Sequence, residues 1–106
     1  IQRSMGMRRM MQQIKNADVV ITNPTHFAVA LKYDQSKNSA PVVVAKGKDL
    51  VALRIKEEAK KHNIYIAENK VLARSLYNTT EIDMEIPAEL YEAVAEILAV
   101  VYRLRK

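Results

Sequence analysis

Asn23-Pro24-Thr25-His26 stands between Asp18-Val19-Val20-Ile21-Thr22 on one side and Phe27-Ala28-Val29-Ala30-Leu31-Lys32-Tyr33 on the other. Both flanks are short runs dominated by apolar and β-branched residues, and they read as strands. Asparagine is favoured at the first position of a turn, and proline presets the backbone angle at the second. The pattern commits residues 18–33 to strand, tight turn and strand, and the rest of the fold must be built around that unit. A turn clamped between two strands can also hold Asn23 in one conformation and store local strain.

The same four residues carry chemistry. In ordinary asparagine chemistry the following backbone nitrogen attacks the side-chain amide, but Pro24 has no N–H and its nitrogen is tied into the ring. The reverse attack remains open. The Asn23 side-chain nitrogen closes on its own main-chain carbonyl, forms a succinimide and expels Pro24 as a new N-terminus, a cyclisation favoured by fixed geometry. Asn23 is the nucleophile and Pro24 the leaving group, so the event is a single self-cleavage between Asn23 and Pro24 rather than turnover by an enzyme. His26, with an imidazole that ordinarily titrates near pH ~6.5, is the nearby group able to move protons; equally, it only hydrogen-bonds the turn. The Thr25 hydroxyl either fixes the turn or polarises the carbonyl, although a β-branched turn residue needs neither role.

Beyond Tyr33 the pattern continues as loop, strand, helix, strand, helix and helix. Gln35 to Ala40 is polar and turn-prone, and Pro41 precedes a short buried-looking strand, Val42-Val43-Val44-Ala45. Asp49 fits the N-cap of a helix through Leu50, Leu53, Arg54 and Glu57, closing at Lys60, Lys61 and His62 with Asn63 as a left-handed cap. Ile64-Tyr65-Ile66-Ala67 reads as a strand, and strand, helix, strand in this order predicts a crossover with the two strands parallel. Val71 to Tyr77 is a short helix. The last helix starts with Pro87 in its first turn and buries Leu90, Val94, Ile97, Leu98 and Val101, with Arg103, Arg105 and Lys106 late. The expected fold is α/β: a small mixed sheet of about four strands surrounded by helices, with an N-terminal helical arm.

Composition narrows the chemistry. There is no cysteine, which removes disulfides and thiolate chemistry, and His26 and His62 are the only histidines, too few for a histidine-based metal site. No metal and no cofactor is expected. With two glycines and no glycine-rich phosphate loop, a turnover enzyme is disfavoured. The net charge of +5 is uneven. Residues 1–16 hold Arg3, Arg8, Arg9 and Lys15 without an acid, leaving thirteen bases against twelve acids in residues 17–106. A basic arm can touch phosphates, but beside a membrane segment it marks the cytoplasmic side and meets anionic headgroups. A small nucleic-acid-binding module is the rival class; its aromatics would interleave with bases on one face, whereas the six aromatics here are scattered. Nucleic acid is not an expected partner. Met5, Met7, Met10, Met11 and Ile14 give the arm a partly buried face.

The motif Asn23-Pro24-Thr25-His26 after Ala17-Asp18-Val19-Val20-Ile21-Thr22, then Ala40-Pro41-Val42-Val43-Val44-Ala45-Lys46-Gly47, Leu72-Ala73-Arg74-Ser75-Leu76-Tyr77 and Ile86-Pro87, resembles the FlhB/YscU switch proteins of flagellar and injectisome type III secretion. The resemblance covers nearly the whole chain and leans to the flagellar branch; an injectisome switch domain is the alternative. One departure is Val71, where the family often has proline. The resemblance implies a cytoplasmic domain of a bacterial inner-membrane protein, preceded by membrane helices, with residues 1–16 as linker and 17–106 as the self-cleaving domain in two parts, 17–23 and 24–106. It implies a switch of export from rod and hook proteins to filament proteins. Its implied partners are export substrates, other export-gate components and a hook-length control protein. It further implies that Ala40 and Pro41, at a loop-to-strand junction, join Ala95 and Leu98, one turn apart on the last helix, in an apolar patch that receives a short hydrophobic signal on substrates; Leu98 suits ordinary core packing as well.

Overall fold

A computed structural model describes residues 2–37 and 39–105, with side chains from residue 6 onward. Four strands, β1 (Val19–Asn23), β2 (Phe27–Lys32), β3 (Val42–Lys48) and β4 (Tyr65–Glu68), form one sheet in the order β3-β2-β1-β4. β1 pairs antiparallel with β2 from Val19 opposite Leu31 to Asn23 opposite Phe27, and parallel with β4 from Val19 opposite Tyr65 to Thr22 opposite Glu68. β1 thus has a neighbour on each side, which is why Val19, Val20 and Ile21 are an unbroken buried run. β3 and β4 run parallel, as the strand, helix, strand order predicts, but at opposite edges of the sheet with β2 and β1 between them.

Strand alternation divides the core into two layers. Val19, Ile21, Val29, Leu31 and Val43 face the helices α3 (Lys70–Thr79) and α4 (Tyr91–Leu104) through Leu72, Leu76, Val94, Leu98 and Val101. Val20, Ala28, Ala30 and Ala45 face α1 (Gln2–Gln13) and α2 (Asp49–Lys61) through Met10, Ile14, Ala52, Ile55 and Ala59. Met10 and Ile14 are buried in this second layer, so the later part of the arm packs on the sheet. Met5 lies outside the described side chains, and Lys106 outside the described residues.

The α2 face of the sheet is built from small residues, and Gly47 lies opposite Ala28 beneath the first turn of α2. A Cβ at Gly47 would lie 2.8 Å from Val51 Cβ and 3.3 Å from Ile55 Cδ1. Pairing with β2, through Phe27 opposite Lys48, carries β3 on to Lys48, three residues past its predicted end. It also corrects the cap. Asp49 does not cap α2 but adopts a left-handed φ of 55°, with Lys48 as the extended residue before the helix. Leu50 and Leu53 are exposed, and the buried stripe is Ala52, Ile55 and Ala59. At the other end Asn63 is left-handed, φ 59°, and the Ile64 and Asn63 N–H groups bond the Ala59 and Lys60 carbonyls in a Schellman cap.

α3 runs from Lys70, and the Asn69 side chain accepts the Leu72 N–H at 3.1 Å, so the start of the helix is capped by asparagine with Val71 exposed behind it. Pro87 precedes a 3-10 turn, Ala88–Leu90, before α4. Leu90 and Ile97 are only half-buried, because α4 is covered on one side. The segment ahead of that turn lies along the outer edge of β3. There the Val43 N–H and C=O bond Met84 and Asp83, which covers the first residues of this sheet edge.

Candidate functional site

The His26 N–H donates to the Asn23 carbonyl at 2.9 Å, closing a four-residue turn that continues the β1/β2 ladder. Asn23 is half-buried, while Pro24, Thr25 and His26 are exposed. Each end of the turn is anchored from outside the hairpin. The Thr22 carbonyl accepts the Asn69 N–H at 2.9 Å, and the His26 carbonyl accepts the Asp49 N–H at 2.9 Å. Lys56, two turns into α2, donates its Nζ to the Pro24 carbonyl at 3.3 Å. Phe27 is held by Tyr77 of α3, ring centroids 4.8 Å apart, and the Tyr77 carbonyl is itself bonded by Lys46 Nζ at 2.9 Å. The imidazole of His26 lies 6.2 Å from the Phe27 ring, on the exposed side of the turn.

Chemically, the carbonyl that a cyclising Asn23 would attack already receives a hydrogen bond from a fixed backbone N–H. Such a donor gains strength as negative charge builds on the oxygen. The Leu72-to-Tyr77 stretch supplies the packing under Phe27, and Gly47 sets the height of α2 above the turn. Asp49, Lys56 and Tyr77 were not singled out from sequence as parts of this site. The charged ones have nothing in their spacing to distinguish them from neighbouring surface residues.

A second feature lies near the far edge of the sheet. Ala40, Pro41, Ala95 and Leu98 line one groove of about 700 Å³, together with Tyr33, Tyr91, Tyr102 and Glu85. Ala95 is exposed, Ala40 half-buried and Pro41 buried. Leu98 is 5% exposed and belongs to both readings, being part of the core and of the groove wall. The tyrosines surround the groove because β2, α4 and the segment before β3 converge there. Burial, with the Asp18 charge nearby, pushes the Tyr102 phenol above its ordinary range, so it stays a neutral O–H. Asp18 ties the region together, accepting the Tyr33 N–H at 2.7 Å and pairing with Arg105 at 2.9 Å. Among the described residues no cluster of metal-ligating side chains occurs, and no helix is long and apolar enough to cross a membrane.

The profile of the FlhB HrpN YscU SpaS family matches residues 1–101. The chain belongs to this family. It is 54% identical over 99% of its length to the flagellar biosynthetic protein FlhB of Bacillus subtilis (strain 168), and 52% identical over its whole length to that of Salmonella typhimurium. It spans only 29% and 28% of those two relatives. Among solved structures, the crystallised cytoplasmic domain of FlhB from Shewanella putrefaciens superposes with a TM-score of 0.88 at 49% identity, covering 93% of this chain and 76% of that one. A mutated EscU C-terminal domain superposes at 0.83 with 33% identity, covering 87% and 92%. The mixed four-stranded sheet with flanking helices is therefore the fold of the FlhB and EscU domains, as the sequence pattern predicts.

Proposed function

We propose that this chain is the cytoplasmic part of a flagellar type III export component anchored in the inner membrane. It cuts its own backbone between Asn23 and Pro24 and thereby switches export from rod and hook proteins to filament proteins. The observation that carries the reading is the Asn23 carbonyl held by the His26 N–H within a turn anchored at both ends. Asn23 Nδ2 attacks the Asn23 carbonyl carbon, the bond to the Pro24 nitrogen breaks, and the proton lost by Nδ2 is made up on that nitrogen. The products are a C-terminal succinimide on 1–23 and a proline amine on 24–106. His26 either carries the proton or holds the turn, and Thr25 supports the turn.

The cut does not release β1. Val19, Val20 and Ile21 are fully buried, each contributing about 1.5–3 kcal/mol of burial, and β1 is hydrogen-bonded to both β2 and β4. What changes is the freedom of the turn. The groove at Ala40, Pro41, Ala95 and Leu98 is the surface for the short hydrophobic signal of export substrates, with export-gate components and a hook-length control protein as further partners. An injectisome role is favoured less, since identity is higher to the flagellar relatives than to the EscU domain.

Intact-mass spectrometry of the denatured chain, purified without protease, tests the cleavage. Two pieces dividing at Asn23 and Pro24 are expected, with a combined mass equal to the parent if the succinimide survives and one water heavier if it opens. Asn23→Ala must stay whole. Cleavage of that variant at the parental rate would rule out cyclisation.

A further inference from the structure

α2 grips the cleavage turn at two points. In a β-turn that begins at Asn23, the central peptide joins Pro24 to Thr25, and its carbonyl is that of Pro24. The two common turn types differ by a flip of this one peptide plane, and the flipped form needs a positive φ at the third residue, which suits glycine and penalises a β-branched side chain. Thr25 is not among the residues with positive φ. Its plane is in the unflipped orientation, with the Pro24 carbonyl accepting Lys56 Nζ at 3.3 Å. One residue further on, the His26 carbonyl is fixed by the Asp49 N–H. Asp49 and Lys56 are seven residues apart, two turns, and so lie on one face of α2.

We infer that Lys56 is a positioning residue for the cleavage reaction: its ammonium holds the Pro24–Thr25 peptide plane in the orientation that keeps Asn23 aligned for attack. This rests on the self-cleavage reading. Lys56 takes no part in the bond changes, which remain Asn23 Nδ2 joining the Asn23 carbonyl carbon and that carbon leaving the Pro24 nitrogen. Its role is to stop the leaving residue from rotating. Pro24 has a ring-locked φ, so its ψ is the torsion through which the plane turns, and the carbonyl bonded to Lys56 reports that torsion.

The test measures the cleavage rate of the 106-residue chain by intact mass for the parent, Lys56→Met and Lys56→Arg, alongside the unfolding midpoint of each. Loss of one solvent-exposed hydrogen bond from the ammonium is expected to slow Lys56→Met about threefold, with little change in midpoint. Lys56→Arg, which keeps a cationic donor of similar reach, is expected to recover most of the rate. Parental cleavage by Lys56→Met would overturn the inference while leaving self-cleavage intact. Equal slowing of Met and Arg variants would also overturn it, assigning the effect to packing of the stem. An uncut parent would overturn both this role and the cleavage reading itself.

Discussion

Replacing Gly47 with alanine inserts one methyl between β3 and α2. The new Cβ would stand 2.8 Å from Val51 Cβ and in harder contact still with Val51 Cγ1, with Ile55 Cδ1 at 3.3 Å. Carbon atoms are comfortable at about 3.5–4.0 Å, so a gap of roughly 0.7 Å or more has to be opened. Ile55 can move its terminal methyl, but Val51 Cβ is attached to the helix backbone and no side-chain rotation relieves it. α2 itself must lift. Overpacking of this kind costs about 1–3 kcal/mol, or a fall in melting temperature of about 4–14 °C for a domain of this size. The same displacement strains the Asp49 N–H bond to the His26 carbonyl, now 2.9 Å. Gly47→Ala is therefore expected to cleave more slowly as well as melt earlier. Thermal melting followed by circular dichroism, with cleavage followed by intact mass, reads both effects. Adding Val51→Gly removes the clashing Cβ, and a double-mutant cycle is expected to return a favourable coupling of about 1 kcal/mol or more. Melting of Gly47→Ala within a degree of the parent, with no coupling to position 51, would refute the close-approach argument.

Three further outcomes are expected. Ala95→Asp puts a charge into an apolar groove wall and should weaken binding of a hydrophobic substrate peptide at least tenfold by calorimetry, while leaving cleavage unchanged; equal binding by variant and parent would remove the groove from consideration. Asn69→Ala removes the side-chain cap on α3 and should cost about 1 kcal/mol in urea unfolding; the Asn69 N–H on the Thr22 carbonyl is a backbone bond and survives. The His62 side chain, bonded to Glu58 at 3.1 Å, and the nearby Lys61 hold the Glu58 carboxyl below its ordinary value of 4.5. A folded-state value below the unfolded one contributes stability that is present above about pH 4.5 and lost as pH falls through the lowered value. Glu58→Gln should accordingly lower the midpoint above about pH 4.5, where the parent carries this contribution, and flatten the acid limb so that the two curves converge at low pH; parallel curves would show that the pair is silent.

Much of this architecture is legible locally. The β1 and β2 runs, the turn between them, the left-handed Asn63 and the apolar stripe of α4 each follow from residues within one or two turns of chain. The misreadings share a cause. Asp49 looks like a cap because aspartate before an apolar-periodic run usually is one, but β3 continues to Lys48 and delivers the chain into α2 through a left-handed residue instead. The helix through Leu50 and Leu53 is present, and its close approach to Ala28 and Gly47 turns Ala52, Ile55 and Ala59 inward and those two leucines outward. Charge alone separates residues 1–16 from the rest, whereas packing carries Met10 and Ile14 into the core.

By itself the sequence determined the candidate chemistry, because asparagine before proline can cyclise but cannot follow the competing route, and that depends on covalent structure alone. It also determined the alternation that sends two sets of side chains to two faces. Tertiary structure alone decided that β1 lies between β2 and β4, which would hold the 1–23 segment in place after the proposed cut. It decided too that α2 reaches the turn through Asp49 and Lys56, and that Ala40, Pro41, Ala95 and Leu98 share a groove. These are contacts between residues far apart in the chain, and they follow from how closely small side chains let one layer approach another.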